Sequence, residues 1–189
     1  MVQSVIFAQG MFVKKSNISL DIGTGYVNNK INSPTSISYS YNSYVINAGI
    51  NIFRIFDIGG TYYKPVDSPS GRQLSDASSF FLNAYLYKKN IGLVLNSAIS
   101  NTPNGGDILL GLTFYGNNIQ TYTKLFFDGF FPVVSAGFVL AGVNENFVLG
   151  FSVPLQKIIN KHYSIVLTPG FNYSKEDIQL LIGLDFIFQ

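Results

Sequence analysis

The sequence predicts an all-β protein: a closed antiparallel up-and-down barrel that crosses a membrane. Two observations predict it. Large apolar residues recur at alternate positions along most of the chain, and charged residues make up only 12% of it, about half the usual share. In an extended strand, alternate side chains point to the same face. The chain therefore builds strands with one strongly apolar face and has little charge with which to coat a water-soluble surface.

The final segment shows this pattern most clearly. One face of residues 178–188 carries Ile178, Leu180, Ile182, Leu184, Phe186 and Phe188. The other face is mixed and partly polar, with Gln179, Leu181, Gly183, Asp185 and Ile187. Six large apolar side chains on one face need an apolar surrounding, which is either a protein core or lipid.

The same alternation recurs in order along the rest of the chain. It predicts strands at 17–26, 44–52, 56–62, 80–87, 91–96, 108–115, 118–127, 134–140, 147–153 and 163–168. No segment of comparable length has a helical period, and short polar breaks between segments suit tight hairpins. With the segment 178–188 and a further strand at 3–13, the count is 12. Because single-chain bacterial barrels have even strand numbers, we expect about 12 strands, with 10 as the alternative.

The less apolar face favours lipid over a soluble core. It carries mainly Gly, Ser, Asn, Thr and Tyr, whereas most Lys and Glu residues fall in the predicted turns. A water-soluble barrel would need Lys, Glu and Arg on that face. The mean hydropathy is positive, at +0.26, yet no run of 18 apolar residues exists that would predict a transmembrane helix. Membrane-spanning strands account for both facts.

The C-terminus adds a resemblance to a known family. Gly183, Phe186 and Phe188 resemble the closing strand of bacterial outer-membrane β-barrel proteins, in which a Gly followed by spaced aromatic residues serves as an assembly signal. The resemblance implies a bacterial outer-membrane location. We expect one barrel domain over residues 1–189. Residues 1–9 are expected to be either the remnant of a signal peptide or part of a first strand.

The inward face of such a barrel would line a lumen. The polar side of the predicted strands gives the candidate lumen-lining residues Asp21, Asn47, Asn51, Asp57, Thr61, Asn83, Tyr85, Asn96, Thr113, Tyr115, Gln120, Lys124, Gln179 and Asp185. Inward Gly and Ser residues would leave room in a lumen of about twelve strands, whereas the inward residues Tyr63, Tyr85, Tyr87 and Tyr115 would narrow or plug it. The expected activity is a small porin-like channel for passive permeation of small solutes or ions, with a weak preference for cations.

No residue constellation predicts catalysis, a cofactor or a metal. The chain has no Cys, which excludes thiolate sites, and the inward Asp residues are expected on distant strands. His162 and Ser164 resemble the pattern of the outer-membrane lipid A deacylases, but Ile165 stands where that family has Asn. Glu176, the nearest acid in the sequence, is predicted about 30 Å from His162 along a hairpin.

Other functions stay open at this stage. The chain could be a non-conducting structural or partner subunit of a larger outer-membrane complex, with the bilayer as one partner and other membrane proteins bound through loops 28–42 and 64–78. A membrane-embedded lipid hydrolase and a soluble lipid-binding barrel similar to lipocalins are weaker alternatives. A net charge of +2 without a basic cluster gives no reason to expect nucleic acid as a partner.

Overall fold

The computed structural model describes residues 17–31, 38–67, 74–88, 91–102, 105–117, 119–120, 126–141, 144–175 and 177–189. These residues form the strands β1 (Ile18–Ile31), β2 (Tyr39–Ile52), β3 (Phe56–Pro65), β4 (Ala77–Lys88), β5 (Gly92–Thr102), β6 (Gly105–Tyr115), β7 (Ile119–Gln120), β8 (Gly129–Phe130), β9 (Val133–Ala141), β10 (Asn144–Ser152), β11 (Leu155–Ile158), β12 (Tyr163–Ser174) and β13 (Asp177–Phe188). Across these ranges no helix has the length and apolar character needed to span a membrane.

The sheet closes into a barrel of ten strands. Each strand pairs antiparallel with its neighbour in the order β1 to β6, β9, β10, β12 and β13, and β13 pairs back onto β1. β10 and β11 count as one strand, because both pair with β12 and only Val153 and Pro154 separate them. The short strands β7 and β8 lie outside the ring. The closed up-and-down barrel is confirmed, with the lower of the two expected strand counts.

The strand predicted at 118–127 accounts for much of the difference in count. Only Ile119–Gln120 forms a strand in this region, and residues 121–125 lie outside the described part of the chain. The predicted strand at 3–13 and the proposed signal remnant at 1–9 also fall outside it. Strands β1 and β2 extend beyond the alternating segments that predicted them, and each has 14 residues.

The meander gives the barrel two different rims. The first residues of β1 pair with the last residues of β13, and this end is called the terminal rim. Residues 53–55 and 159–162 also turn at the terminal rim. At the opposite, distal rim β1 ends and β2 begins, and β3 ends and β4 begins. The longest connection, between Tyr115 of β6 and Val133 of β9, lies at the terminal rim, whereas the β5–β6, β9–β10 and β12–β13 connections at the distal rim have two residues each.

Alternate side chains point out of and into the barrel, as the sequence pattern predicts. In β2, Ile46 is 57% exposed whereas its neighbour Val45 is 2% exposed. Large apolar side chains cover the outer surface all round, including Leu110, Phe138, Phe147, Leu180 and Ile182. Such a continuous apolar belt is unsuited to water, and a closed sheet pairs its backbone groups internally as lipid requires.

Aromatic pairs lie in the outer surface towards both rims. Tyr26 and Tyr44 meet edge to face with ring centroids 5.8 Å apart in the distal half. Tyr163 and Phe188 form a similar pair at 5.4 Å at the terminal rim. Aromatic girdles of this kind mark the two interfaces of a membrane barrel with water.

Candidate functional site

The lumen is filled by side chains in layers, which follow from the order of inward residues along each strand. Along β5 the inward residues are Val94, Asn96 and Ala98, which are apolar, polar and apolar in turn. Along β13, Asp185 lies between the apolar Ile187 and Leu181 in the same way. A polar layer therefore lies between two apolar ones.

The layer nearest the terminal rim is called the lower apolar layer. It consists of buried side chains from strands around most of the ring: Tyr85, Val94, Tyr115, Phe131, Val133, Val166 and Ile187. Three large aromatic side chains reach into a lumen that only ten strands enclose. Since side chains fill the interior of small barrels, this layer closes the lumen near the terminal rim.

The upper apolar layer lies towards the distal rim and has two halves. One half consists of Val27, Val45, Tyr63, Ala77 and Leu181. The other consists of Phe81, Ala98, Leu109, Val139 and Val148. Together they draw side chains from nine of the ten strands, and along β4 the cluster of Phe81 lies four residues nearer the terminal rim than the cluster of Ala77.

The polar layer between them contains carboxylates and amides linked by hydrogen bonds. Asn47 donates from Nδ2 to Asp185 Oδ1 at 3.1 Å and to Asp21 Oδ2 at 3.4 Å. Asp57 accepts from Asn51 Nδ2 at 2.6 Å and from the Tyr85 hydroxyl at 2.8 Å. Neutral donors therefore support these carboxylates. Within the described part of the chain no Lys, Arg or His side chain is buried.

Ring closure brings together acids that the sequence placed apart. Asp21 and Asp185 were expected on distant strands, and this expectation is wrong, because β1 and β13 are neighbours in the ring. On β1, Gly23 lies in register between Asp185 of β13 and Asn47 of β2. A Cβ at Gly23 would collide with both side chains, so the missing side chain provides the space in which they meet.

Several buried polar atoms in the lumen have no hydrogen-bond partner. They include Oδ1 of Asp21, Oδ1 of Asn51, Oδ1 of Asn96 and both amide atoms of Asn83. Buried polar groups are nearly always satisfied in folded proteins, by protein atoms, water or an ion. The polar layer therefore has unused capacity for a ligand.

The structure places most of the sequence-derived candidates inside the barrel. Inward and buried are Asp21, Asn47, Asn51, Asp57, Thr61, Asn83, Tyr85, Asn96, Thr113, Tyr115, Gln179 and Asp185. Gln120 belongs to β7, outside the ring, and its side chain is not described; Lys124 lies outside the described residues. Leu181 and Ile187 were assigned to the inner face, but most other apolar lumen residues were missed, although Phe81 shares its strand face with Asn83 and Tyr85.

The expected room in the lumen is taken up by packed side chains. Asp57, Asn83 and Val94 are each 0% exposed. Inward glycines do not leave gaps at these levels, since a Cβ at Gly59 would collide with the ring of Phe81. At the polar layer and the lower apolar layer, side chains thus occupy the space that a water column would need.

His162 and Ser164 lie in different surroundings in the structure. His162 is exposed in the turn at the terminal rim, where its ring Nδ1 lies 3.3 Å from the Gln189 carbonyl oxygen. Ser164 points into the barrel and is buried. Glu176 lies outside the described residues.

At the distal rim, the two loops predicted to bind partners lie side by side. Asp67 accepts hydrogen bonds from the Asn42 backbone at 2.6 Å and from its side-chain amide at 2.8 Å. Asn28 donates to Asn42 at 2.7 Å, and the Tyr62 hydroxyl bonds Asp76. The described loop residues Asn28, Asn42, Val66 and Asp67 thus form one surface, which is called the distal surface.

Comparison with known proteins finds likeness in structure only. No protein-family model and no curated protein sequence matches the chain. The fold is similar to that of the outer membrane protease OmpT from Escherichia coli, with TM-score 0.52, 12% identity, and 91% of this chain and 96% of that chain covered. Neisserial surface protein A aligns with TM-score 0.41, 13% identity and coverage of 92% and 97%. Ail of Yersinia pestis aligns with TM-score 0.38, 11% identity and coverage of 92% and 100%. The closed meander, its apolar outer belt and the likeness to OmpT show that the chain has the fold of the bacterial outer-membrane β-barrels.

Proposed function

We propose that the protein is a non-conducting outer-membrane barrel that supports a partner protein bound at its distal surface. The observation that carries the proposal is the layered lumen, in which a packed polar layer lies between two apolar layers. Passive permeation, the activity expected from the sequence, requires a continuous column of water. Buried side chains with no exposed surface argue against such a column.

The cost of opening the lumen supports the same conclusion. A pore would have to expose the rings of Tyr85, Tyr115 and Phe131 to water. Removing a large apolar side chain from a buried site costs roughly 1.5–3 kcal/mol each. Opening a pore would also break the hydrogen bond between the Tyr85 hydroxyl and Asp57. The closed state is therefore strongly favoured.

The distal surface is the part of the barrel best suited to a protein partner. It joins two loops through fixed hydrogen bonds at Asn42 and Asp67, so it presents a preorganised surface, which lowers the entropy lost on binding. The outer belt itself is occupied by lipid. The proposal includes no catalytic activity, since the chain's single His lies apart from the buried Ser164.

Single-channel recording tests the closed lumen. The refolded protein in planar bilayers is expected to give no conductance steps. A triple variant, Phe81→Ser with Tyr85→Ser and Tyr115→Ser, removes large side chains from both apolar layers and is expected to conduct. Regular steps from the wild-type protein would refute the non-conducting barrel.

Site-directed cross-linking tests the partner. Because the chain has no Cys, one introduced thiol reports one position. Val66→Cys, on the distal surface, is expected to give a discrete cross-linked adduct in intact cells. Lys161→Cys, exposed at the terminal rim, is the matched control and should not give that adduct. The absence of any adduct from Val66→Cys would contradict the partner-binding role.

A further inference from the structure

We propose that the polar layer binds one divalent cation between Asp21 and Asp185. Asn47 becomes a further ligand when its amide, whose nitrogen bonds both carboxylates in the structure, turns its oxygen towards the ion. The cation would join the first, second and last strands of the barrel, at the place where the ring closes. This site is independent of the proposed partner at the distal surface.

The first argument is charge. Asp21 and Asp185 are buried, and one amide nitrogen, Asn47 Nδ2, bonds a carboxylate oxygen of each. Two carboxylates this close in a low-dielectric interior repel strongly unless a cation balances them. Among the residues that the structure describes, no basic side chain is buried. The repulsion is therefore relieved either by a proton on the carboxyl pair or, as we propose, by a cation from outside the chain.

The second argument is the unpartnered oxygen. Asp21 Oδ1 has no hydrogen-bond donor, although its carboxylate is buried. Asn83, with 0% of its surface exposed, has no partner for either amide atom, and it lies in register beside Asp57 in the same layer. Buried oxygens without a protein partner are normally satisfied by water or an ion, so the Asp21 oxygen is available as an ion ligand.

The third argument is space. Gly23 separates Asp185 from Asn47 in the β13–β1–β2 row, and oxygens of both side chains converge on the position that a Cβ would occupy. Carboxylate and amide oxygens are the ligands that calcium and magnesium take in proteins. The described residues contain no group of three acidic, His or Cys side chains able to hold a metal, so this site rests on two carboxylates and an amide.

Two carboxylates select for a divalent ion. Their combined charge matches that of calcium, which tolerates irregular oxygen coordination better than magnesium does. Since the lumen is closed, the ion is expected to enter during folding, while the ring is still open. Binding at the β1–β13 closure would then favour the closed state by mass action.

Equilibrium dialysis with radioactive calcium tests the site. The protein is refolded into detergent with calcium present, and folding is checked by its heat-modifiable gel mobility. Wild-type protein is expected to retain about one calcium ion per barrel. Asp21→Asn and Asp185→Asn keep the size of each side chain but remove its charge, and each should weaken binding at least tenfold. Asp107→Asn, another inward acid near the distal rim, is the matched control and should bind as wild type does.

A second readout separates binding from a general effect on folding. Calcium is expected to raise the thermal midpoint of the wild-type barrel and of Asp107→Asn, and to leave Asp21→Asn and Asp185→Asn unchanged. If one neutral variant fails to fold, the other, together with Asn47→Ala, decides the result. Folded wild-type protein that retains no calcium, or variants that retain it as wild type does, would overturn the proposal.

Discussion

A lysine at position 182 tests whether the apolar face of the barrel wall meets lipid. Ile182 points outward from β13 and is 48% exposed. It lies six residues before Phe188, the last residue of the strand. At about 3.4 Å per residue and a strand tilt near 40°, this is about 15 Å above the terminal rim. The apolar band of such barrels is about 25 Å tall, so Ile182 lies near its middle.

The depth of residue 182 in the bilayer sets the expected loss of folding free energy. A lysine at the bilayer midplane costs about 2–4 kcal/mol, whereas one near the interface costs about 0–1 kcal/mol. Ile182→Lys should therefore lower the folding equilibrium constant by a factor of about thirty to several hundred. Ile18→Lys makes the same chemical change at the terminal rim, on an outward and exposed side chain, and should have little effect.

Reversible unfolding by urea in lipid vesicles, followed by gel mobility, measures both variants. Ile182→Ala separates the loss of the isoleucine from the gain of charge. Equal destabilisation by the two lysine variants would mean that depth in a bilayer does not matter. Ile182 would then face a protein or water, and the membrane orientation would be refuted.

Three further predictions concern the lumen. Phe81→Ala, at a side chain 1% exposed, should lower the free energy of unfolding by about 3–5 kcal/mol because it leaves a cavity. Phe80→Ala faces lipid that can refill the space and should lower it clearly less. Equal losses would contradict the assigned faces. Tyr85→Phe removes the hydroxyl that bonds Asp57 and should cost about 1–3 kcal/mol in the same unfolding assay; an unchanged stability would contradict that contact. Gly23→Ala should slow or prevent formation of the heat-modifiable band, since side chains from both neighbouring strands lie over this glycine; normal folding would show that the space is not needed.

Much of the architecture could be predicted from the sequence because the barrel wall repeats one simple rule. Alternation assigns each side chain to a face without any knowledge of its partners. That is why the inward positions of Asn47, Asn83 and Asp185 could be recognised in advance. The same rule also places Phe81 inside, but attention to polar residues alone missed it.

Some local features could not be predicted from the sequence. Phe53 and Arg54 turn the β2–β3 hairpin with positive φ angles of 52° and 58°, although neither is a usual residue for that conformation. Pro154 interrupts one barrel strand, which therefore reads as two short strands, β10 and β11. Such details depend on how neighbouring strands hold the chain, which a single sequence does not display.

The sequence by itself determined the class of the molecule, because strand periodicity and scarcity of charge are local properties of the chain. It also determined which faces are apolar. Only the tertiary structure decided the ten-strand closure, the filled lumen and the meeting of Asp21 with Asp185. The physical reason is that these depend on register and curvature around a closed ring. Residues more than 160 positions apart in the chain become neighbours there, and no pattern along a single strand encodes that contact.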